Sequence, residues 1–286
     1  KMCTRVSHSQ SIVETSDRTE FKKDYEKNPG KYIMMPGNAK KRHPIVEERT
    51  AKLTEYAENC ELNVLEDGES YEYGFISSST SYQYVKEVFG NKYPVLKLGM
   101  IWPLPVESIK ALAAKVENLV VVEELDGFIE EHCNSIGVKV TGKELFSCID
   151  ELSQNKVATA LGQPVNCVTA LDENIPLRTP VMCAGCPHRG LFYRLGKRKD
   201  VMITGDIGCY TLAFAQPYAA LDAAICMGAS ISMGHGAQKV YNKAGIKRKV
   251  VTVLGDSTFF HTGVNSLMDE VYNSGHNLTV ILDNRI

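Results

Sequence analysis

A chain of 286 residues, 44% hydrophobic and carrying 32 Lys+Arg against 34 Asp+Glu, has the length of two domains and the apolar content of an ordinary globular protein. Its net charge of −2 gives no electrostatic footing for nucleic acid or an acidic surface. No apolar run approaches the ~20 residues of a membrane span, and the opening KMCTRVSHSQ is too polar for a secretory signal. The expectation is a cytoplasmic protein with no nucleic-acid and no membrane partner.

Nine cysteines are many and odd in number. Cys3, Cys60, Cys133, Cys148 and Cys167 are scattered, whereas Cys183, Cys186, Cys209 and Cys226 gather in the last third. That distribution suits metal or cluster ligation in a reducing compartment better than a disulfide framework. The chain lacks a convincing start and stops on a strand-end motif, so it reads as an internal piece of a longer protein.

Residues 1–14 look like the tail of an earlier segment, with Arg5, His8 and Ser9 read as surface residues rather than site residues. Residues 15–42 are charged and read as a connector, with Asn28-Pro29-Gly30 as a turn. Residues 44–63 predict a helix, whose loose stripe of Val46, Leu53, Tyr56 and Ala57 is expected to pack on a neighbouring domain.

From 71 to about 148, strands alternate with helices, which predicts a parallel sheet. Strands are expected at 73–77, 94–99 and 119–122. Ser79, Thr80 and Ser81 are candidate caps for a helix over 82–89. Trp102-Pro103-Leu104-Pro105 is a stiff turn, and a helix over 106–116 carries Ile109, Leu112 and Val116 on one side. Glu123-Glu124 reads as solvated or capping acids at a strand end in preference to a catalytic carboxylate pair. His132 and Cys133 resemble a metal pair only faintly. Residues 151–178 drift into polar, Pro-bearing sequence and read as a second linker.

The last third opens with Cys183-Ala184-Gly185-Cys186-Pro187-His188. Two thiols spaced by two residues can wrap a metal or an iron–sulfur cluster; a redox disulfide is the alternative. A strand over 201–204 leads to the loop Gly205-Asp206-Ile207-Gly208-Cys209, whose cysteine is a third possible cluster ligand. Met227-Gly228 then leads into a helix rich in small residues (Ser232, Gly234, Gly236, Ala237), which permits close approach to a ligand or another helix.

The closing stretch carries the clearest chemistry. A buried strand over 250–254 is broken by Gly255-Asp256-Ser257. A helix over 261–274 follows, with Val264, Leu267, Met268, Val271 and Tyr272 on one face. A second buried strand over 278–282 ends in Asp283-Asn284. In such a right-handed βαβ unit both strand ends reach the ligand-binding edge of the sheet. Asp256 and Asn284 there offer a carboxylate and an amide oxygen, half of a magnesium shell that leaves room for phosphate oxygens and water. The backbone beside Asp256 can approach a diphosphate.

This pattern resembles the thiamine diphosphate signature, Gly-Asp-Gly and, about two dozen residues later, Asn-Asn. Ser257 stands in place of the second Gly and Asp283 in place of the first Asn. The metal ligands implied by the signature fall on Asp256, Asn284 and the carbonyl of Ile286. Met227 matches the bulky apolar residue that bends the cofactor in thiamine enzymes; a core methionine is the alternative.

Taken together, CAGCPHRGLFYRL, GDIGCYTL, CMGASISMGHG, GDSTFFHTG and LDNR, with TRVSHSQS, RHPIVEER and KLGMIWPLP upstream, resemble the large-subunit family of indolepyruvate ferredoxin oxidoreductases over nearly the full chain. The resemblance implies an α/β fold with mainly parallel sheets: the end of a pyrimidine-binding domain and connector over 1–67, a transketolase C-terminal-like domain over 68–150, the linker, and a truncated, doubly wound thiamine diphosphate-binding domain over 179–286. It implies oxidative decarboxylation of an aryl 2-oxo acid to an acyl-coenzyme A, with electrons passing through [4Fe–4S] clusters to ferredoxin. A smaller β subunit and a homo- or hetero-oligomer are implied as well.

In that setting Gly205, Asp206, Ile207, Gly208, Cys209, Met227, Gly228, Gly255, Asp256, Ser257 and Asn284 would bind the cofactor, and Asp256, Asn284 and Ile286 the Mg²⁺. Cys183, Cys186 and Cys209 would be possible cluster ligands. His188 and His261 are candidates for proton handling or diphosphate contact, a structural hydrogen bond being the alternative. The activating glutamate is expected outside this chain. The rival readings are a non-oxidative thiamine-dependent 2-oxo acid decarboxylase and a non-catalytic scaffold fragment.

Overall fold

The computed structural model describes residues 3–165, 176 and 178–284, and the chain divides into two compact units, Lys1–Ala170 and Leu171–Ile286.

The first unit begins with two short helices, α1 (Thr4–Ser7) and α2 (Pro29–Tyr32), and the long α3 (Pro36–Asn59). The predicted turn at Asn28-Pro29-Gly30 is instead the start of α2. Asn28 accepts the amide of Lys31 and Pro29 takes the first helical position, so the same residues serve as a helix start. Helix α3 begins eight residues before the predicted 44 and carries Pro44 in its interior, at the cost of one backbone hydrogen bond. Of its apolar stripe only Ala57 is buried; Leu53 and Tyr56 stay exposed within this unit. Near its end Glu58 accepts the amides of Glu107 and Ser108 at 2.8 and 3.1 Å, which caps the helix beginning at Val106, whose N-cap Pro105 offers no side-chain bond.

A four-stranded sheet forms the middle of this unit, in the order β1 (Val64–Glu66), β3 (Val95–Leu98), β2 (Tyr73–Ser78), β4 (Asn118–Val122). The three predicted strands are parallel, and the unforeseen β1 adds an antiparallel edge. Strand residues alternate between two cores. Phe75, Val95 and Val120 pack with Tyr82, Val85 and Phe89 of α4 (Ser79–Phe89) and Val157 of α7 (Gln154–Ala160). Ile76, Leu96 and Val121 pack with Ile109 and Leu112 of α5 (Val106–Lys115) and Ile129 and Cys133 of α6 (Phe128–Ser135). Burial on both faces is why these strands read as continuous apolar runs.

Three expectations change here. Helix α4 starts at Ser79, with Ser78 at its cap and no side-chain cap bond, so the Ser79–Ser81 hydroxyls lie inside the first turn. Glu123 and Glu124 cap, as expected of one option, but are buried rather than solvated. Glu123 accepts the amides of Ile129 and Glu130 at the start of α6, and Glu124 accepts Leu152 N and the Cys3 thiol. The predicted linker opens with α7, capped by Ser153 and anchored by buried Val157 and Ala158. Residues 166–175 and 177 of that linker lie outside the described residues. His132 and Cys133 form no metal pair: burial pushes the Cys133 thiol up to about 12, and the His132 ring packs edge-on to Trp102.

The second unit is a three-stranded parallel sheet in the order β5 (Val201–Thr204), β6 (Lys249–Gly255), β7 (Leu278–Leu282). It bears helices α8 (Arg189–Leu195), α9 (Ala229–Lys243), the single turn α10 (Asp256–Thr258) and α11 (Val264–Tyr272). Phe192, Ile203, Tyr210, Val251 and Val253 share its core. Gly234 of α9 has a strand beneath it: a Cβ would sit 2.2 Å from Thr252 Cγ2. The small-residue helix therefore lies close to its own sheet there.

The predicted helix over 261–274 is shorter. A π-turn, Phe259–Gly263, joins α10 to α11. Its apolar face is largely outward within this unit: Met268, Val271 and Tyr272 are 65%, 70% and 89% exposed, while Glu270 is buried. The apolar spacing marked a helix correctly, but not the side that this sheet covers. Among the described residues, no helix is long and apolar enough to cross a membrane.

Candidate functional site

Parallel pairing puts the carboxyl ends of β5, β6 and β7 on one edge. Thr204 lies opposite Thr252, and Gly255 opposite Leu282. Asp256 therefore begins just past the last paired row of β6, and Asp283-Asn284 just past that of β7. The βαβ arrangement expected from periodicity is present, and the candidate metal ligands occupy adjacent strand ends. Asp256 is half-buried, and Ser257, Asp283 and Asn284 are exposed. The Asp256 carboxylate accepts its neighbour's amide, Ser257 N, at 2.8 Å. Ile286 lies outside the described residues.

The loop after β5 divides between inward and outward residues. Gly205 is buried under Leu221, whose Cδ1 would lie 2.7 Å from a Cβ there. Asp206 is wholly buried. Its carboxylate accepts Ile207 N at 2.7 Å and Gly228 N at 3.0 and 2.9 Å. Asp206 thus ties this loop to the Met227-Gly228 turn, and its charge is compensated by main-chain dipoles. The carboxylate expected among the cofactor contacts is thus already engaged by these main-chain amides. Ile207 and Cys209 face outward, and Gly208 is half-buried.

Two residues that sequence reasoning missed complete the scaffold. Thr211 accepts Gly208 N at 2.9 Å and donates to the Asp206 carbonyl at 2.6 Å. Tyr210 is buried, and its hydroxyl oxygen accepts Gly255 N at 2.9 Å. Its ring lies against both Gly208 and Gly255, where a Cβ would come within 2.4 and 3.0 Å of Tyr210 Cε1. Burial raises the phenol above its ordinary value. An aromatic just after a glycine-bearing loop was the available signal, but only the tertiary fold shows that it reaches the next strand end.

The third turn is set by sterics. Gly228 has φ +85°, and a Cβ would fall 2.3 Å from Thr262 Oγ1; glycine alone tolerates both. Ser266 of α11 donates to the Gly228 carbonyl at 3.3 Å. Met227 is 54% exposed, so its side chain is no part of this unit's core. His188 is buried at the start of α8. His261 is exposed on the π-turn, its Nδ1 3.4 Å from Thr262 Oγ1.

The cysteines are accessible: Cys183 and Cys209 are exposed and Cys186 is half-buried. Among the described residues no group of three or more His, Cys, Asp or Glu is arranged to hold a metal ion, so Cys183, Cys186 and Cys209 are not gathered into one ligand set.

The donor chemistry fits a magnesium–diphosphate group: one carboxylate and one amide on neighbouring strand ends, beside a turn whose glycine keeps the backbone approachable.

The comparisons with known proteins agree with this geometry. Residues 206–286 match the family model of the thiamine pyrophosphate enzyme C-terminal TPP binding domain. The chain is 34% identical to the indolepyruvate oxidoreductase subunit IorA of Archaeoglobus fulgidus over 98% of its own length and 48% of that protein. It is 30% identical to IorA of Thermococcus kodakarensis, over 99% of this chain and 50% of that one. The IorA of Methanothermobacter marburgensis is 31% identical, with 99% and 49% covered. This chain is a relative of the IorA subunits. It spans about half the length of those IorA proteins. The matched thiamine pyrophosphate domain takes in all three strand-end turns described above except Gly205, and the family resemblance drawn from CAGCPHRG, GDIGCYTL and GDSTFF is borne out.

Proposed function

We propose that this chain holds thiamine diphosphate and one Mg²⁺ at the strand ends of its second unit, as part of an enzyme that decarboxylates 2-oxo acids oxidatively. The observation that carries the reading is the placement of Asp256 and Asn284 directly beyond the paired ends of β6 and β7, inside the segment matched to a TPP binding domain.

In this reading the Asp256 carboxylate, the Asn284 amide oxygen and the Ile286 carbonyl hold the metal. Gly255, Ser257, Gly208 and Gly228 line the diphosphate, and Met227 supports the ring system. Asp206 and Tyr210 keep these turns in register. Thiamine diphosphate supplies the electron sink for loss of carbon dioxide from a 2-oxo acid. The substrate is an aryl 2-oxo acid, coenzyme A takes the acyl group, and electrons leave through [4Fe–4S] clusters to ferredoxin. The partner is a smaller β subunit.

The test is cofactor binding to the full-length protein with its partner subunit. Asp256→Ala is expected to weaken Mg²⁺-dependent thiamine diphosphate binding about 100-fold, the equivalent of ~3 kcal/mol, with an unchanged circular dichroism spectrum. An unaltered affinity overturns the assignment. Aldehyde release without any electron acceptor would point to the non-oxidative decarboxylase.

A further inference from the structure

At the end of the second unit opposite the strand tips, an acid and an imidazole meet inside the fold. Helix α11 closes in a reversal: Ser274 N and Gly275 N donate to the carbonyls of Val271 and Glu270 at 3.1 and 2.7 Å. Ser274 has φ +56°, so a serine takes the left-handed position that glycine usually fills in such a helix ending. The loop then runs directly into β7, and Glu270 Oε1 holds it by accepting Asn277 N at 2.9 Å. Gly275 is pressed between two side chains: a Cβ there would sit 2.3 Å from Glu270 Cγ and 2.4 Å from His235 Nδ1. Glu270 of α11 and His235 of α9 thus converge on one point of the loop.

Both are enclosed, Glu270 at 3% and His235 at 9% exposure. Glu270 Oε2, His235 Nδ1 and both polar side-chain atoms of Asn277 are buried without a hydrogen-bond partner. Each such atom carries its desolvation cost in full, and a proton shared between the acid and the imidazole relieves two of them at once. Among the described residues no metal-holding group of three or more His, Cys, Asp or Glu includes them. The other ionisable groups on the elements around His235 are exposed: Lys239 and Lys243 on α9, Asp269 on α11, His276 on the loop, Lys249 on β6 and His261 on the π-turn. Strand β5 carries no charge, and its Thr204 faces α9 through Ser230. Glu270 is therefore the buried charge that His235 meets.

We propose that His235 and Glu270 form a proton-operated clasp, in which one proton taken from solvent sits on His235 Nδ1, is donated to Glu270 Oε2, and fastens the α11–β7 loop to α9. The carboxyl group lies one bond beyond the Cγ that borders Gly275, so the outer torsions of Glu270 swing it to Nδ1. As pH rises through the interval in which histidines give up their charge, about 5 to 8, the donor is lost. The carboxylate is then buried and unpaired, and the loop loosens. Strand β7 runs from this loop to Asp283-Asn284, so the clasp braces the strand that carries that tip.

Amide hydrogen exchange over residues 270–278 is measured by mass spectrometry on the full-length protein with its partner subunit, from about pH 5.5 to about 8. Rates are corrected for the intrinsic rise of exchange with pH. The expected result is a fall in protection of about tenfold across that interval, accompanied by slow exchange of the His235 ring Cε1 hydrogen that follows the same curve. Glu270→Gln and His235→Gln are expected to flatten the pH dependence, and Asp269→Asn to leave it as in the wild type. A purely structural role predicts lower protection in the variants with the wild-type slope retained, and that result overturns the proposal. Protection independent of pH in the wild type overturns it without any variant. All readouts are taken without cofactor, so the clasp and the thiamine diphosphate assignment fall separately.

Discussion

Tyr210→Phe removes a single oxygen atom from the candidate site and leaves the ring in place. That oxygen accepts the amide of Gly255 at 2.9 Å, in a position that water does not reach freely, since both residues are buried. The packing of the ring on Gly208 and Gly255 survives the change. What is lost is that hydrogen bond and one with the Thr258 side chain, and a buried donor is left unpaired, at about 1–3 kcal/mol. For a unit of this size that corresponds to a fall in melting temperature of about 4–12 °C. Because Gly255 immediately precedes Asp256, loosening the turn should weaken Mg²⁺-dependent thiamine diphosphate binding by about tenfold. Thermal unfolding followed by circular dichroism gives the first number, and calorimetric titration of the full-length protein the second. Hydrogen exchange at the Gly255 amide reports on the bond with no cofactor present. Wild-type melting together with unchanged Gly255 exchange would refute the account of Tyr210 as the link between the two turns.

Asp206→Ala strips the acceptor from Ile207 N and Gly228 N and is expected to destabilise the second unit by about 3 kcal/mol, seen as a lower denaturant midpoint. Gly228→Ala places a Cβ 2.3 Å from Thr262 Oγ1 at a φ of +85°; a loss of about 1–3 kcal/mol should appear in thermal melts. In the first unit, the hydrogen bond to the Glu66 carboxylate, reinforced by burial, pushes the Tyr82 phenol up to about 12. A raised value favours the protonated fold, so this stabilisation is complete below the ordinary tyrosine range near 10 and disappears as pH rises towards 12. Stability measured from pH 9 to 12 should fall less steeply in Tyr82→Phe than in the wild type.

The strands and their ends were legible because burial on both faces writes itself as unbroken apolar runs, such as Val250–Leu254 and Leu278–Leu282. The strand-tip pair Asp256 and Asn284 followed from topology alone. The roles of other polar residues did not follow, because composition cannot say which way a side chain faces. Asp206 and Asp256 both follow glycine at a strand end, yet one is enclosed by amides and the other stands at the edge. Glu123 and Glu124 read equally as solvated or capping acids, and only the main-chain donors of helix α6 and the segment at Leu152 show that they cap and are buried. Periodicity located α11 and its apolar face but not what covers that face, and Met268, Val271 and Tyr272 lie on a side that this unit leaves uncovered.

The enclosed Asp206 carboxylate has a consequence for ligand capture. Its charge is balanced by amides of the polypeptide and owes nothing to any incoming group, so the glycine turns hold their shape beforehand. In the proposed reading, cofactor binding then needs little reorganisation of these turns, and its affinity is assigned to Asp256 and Asn284 at the strand tips.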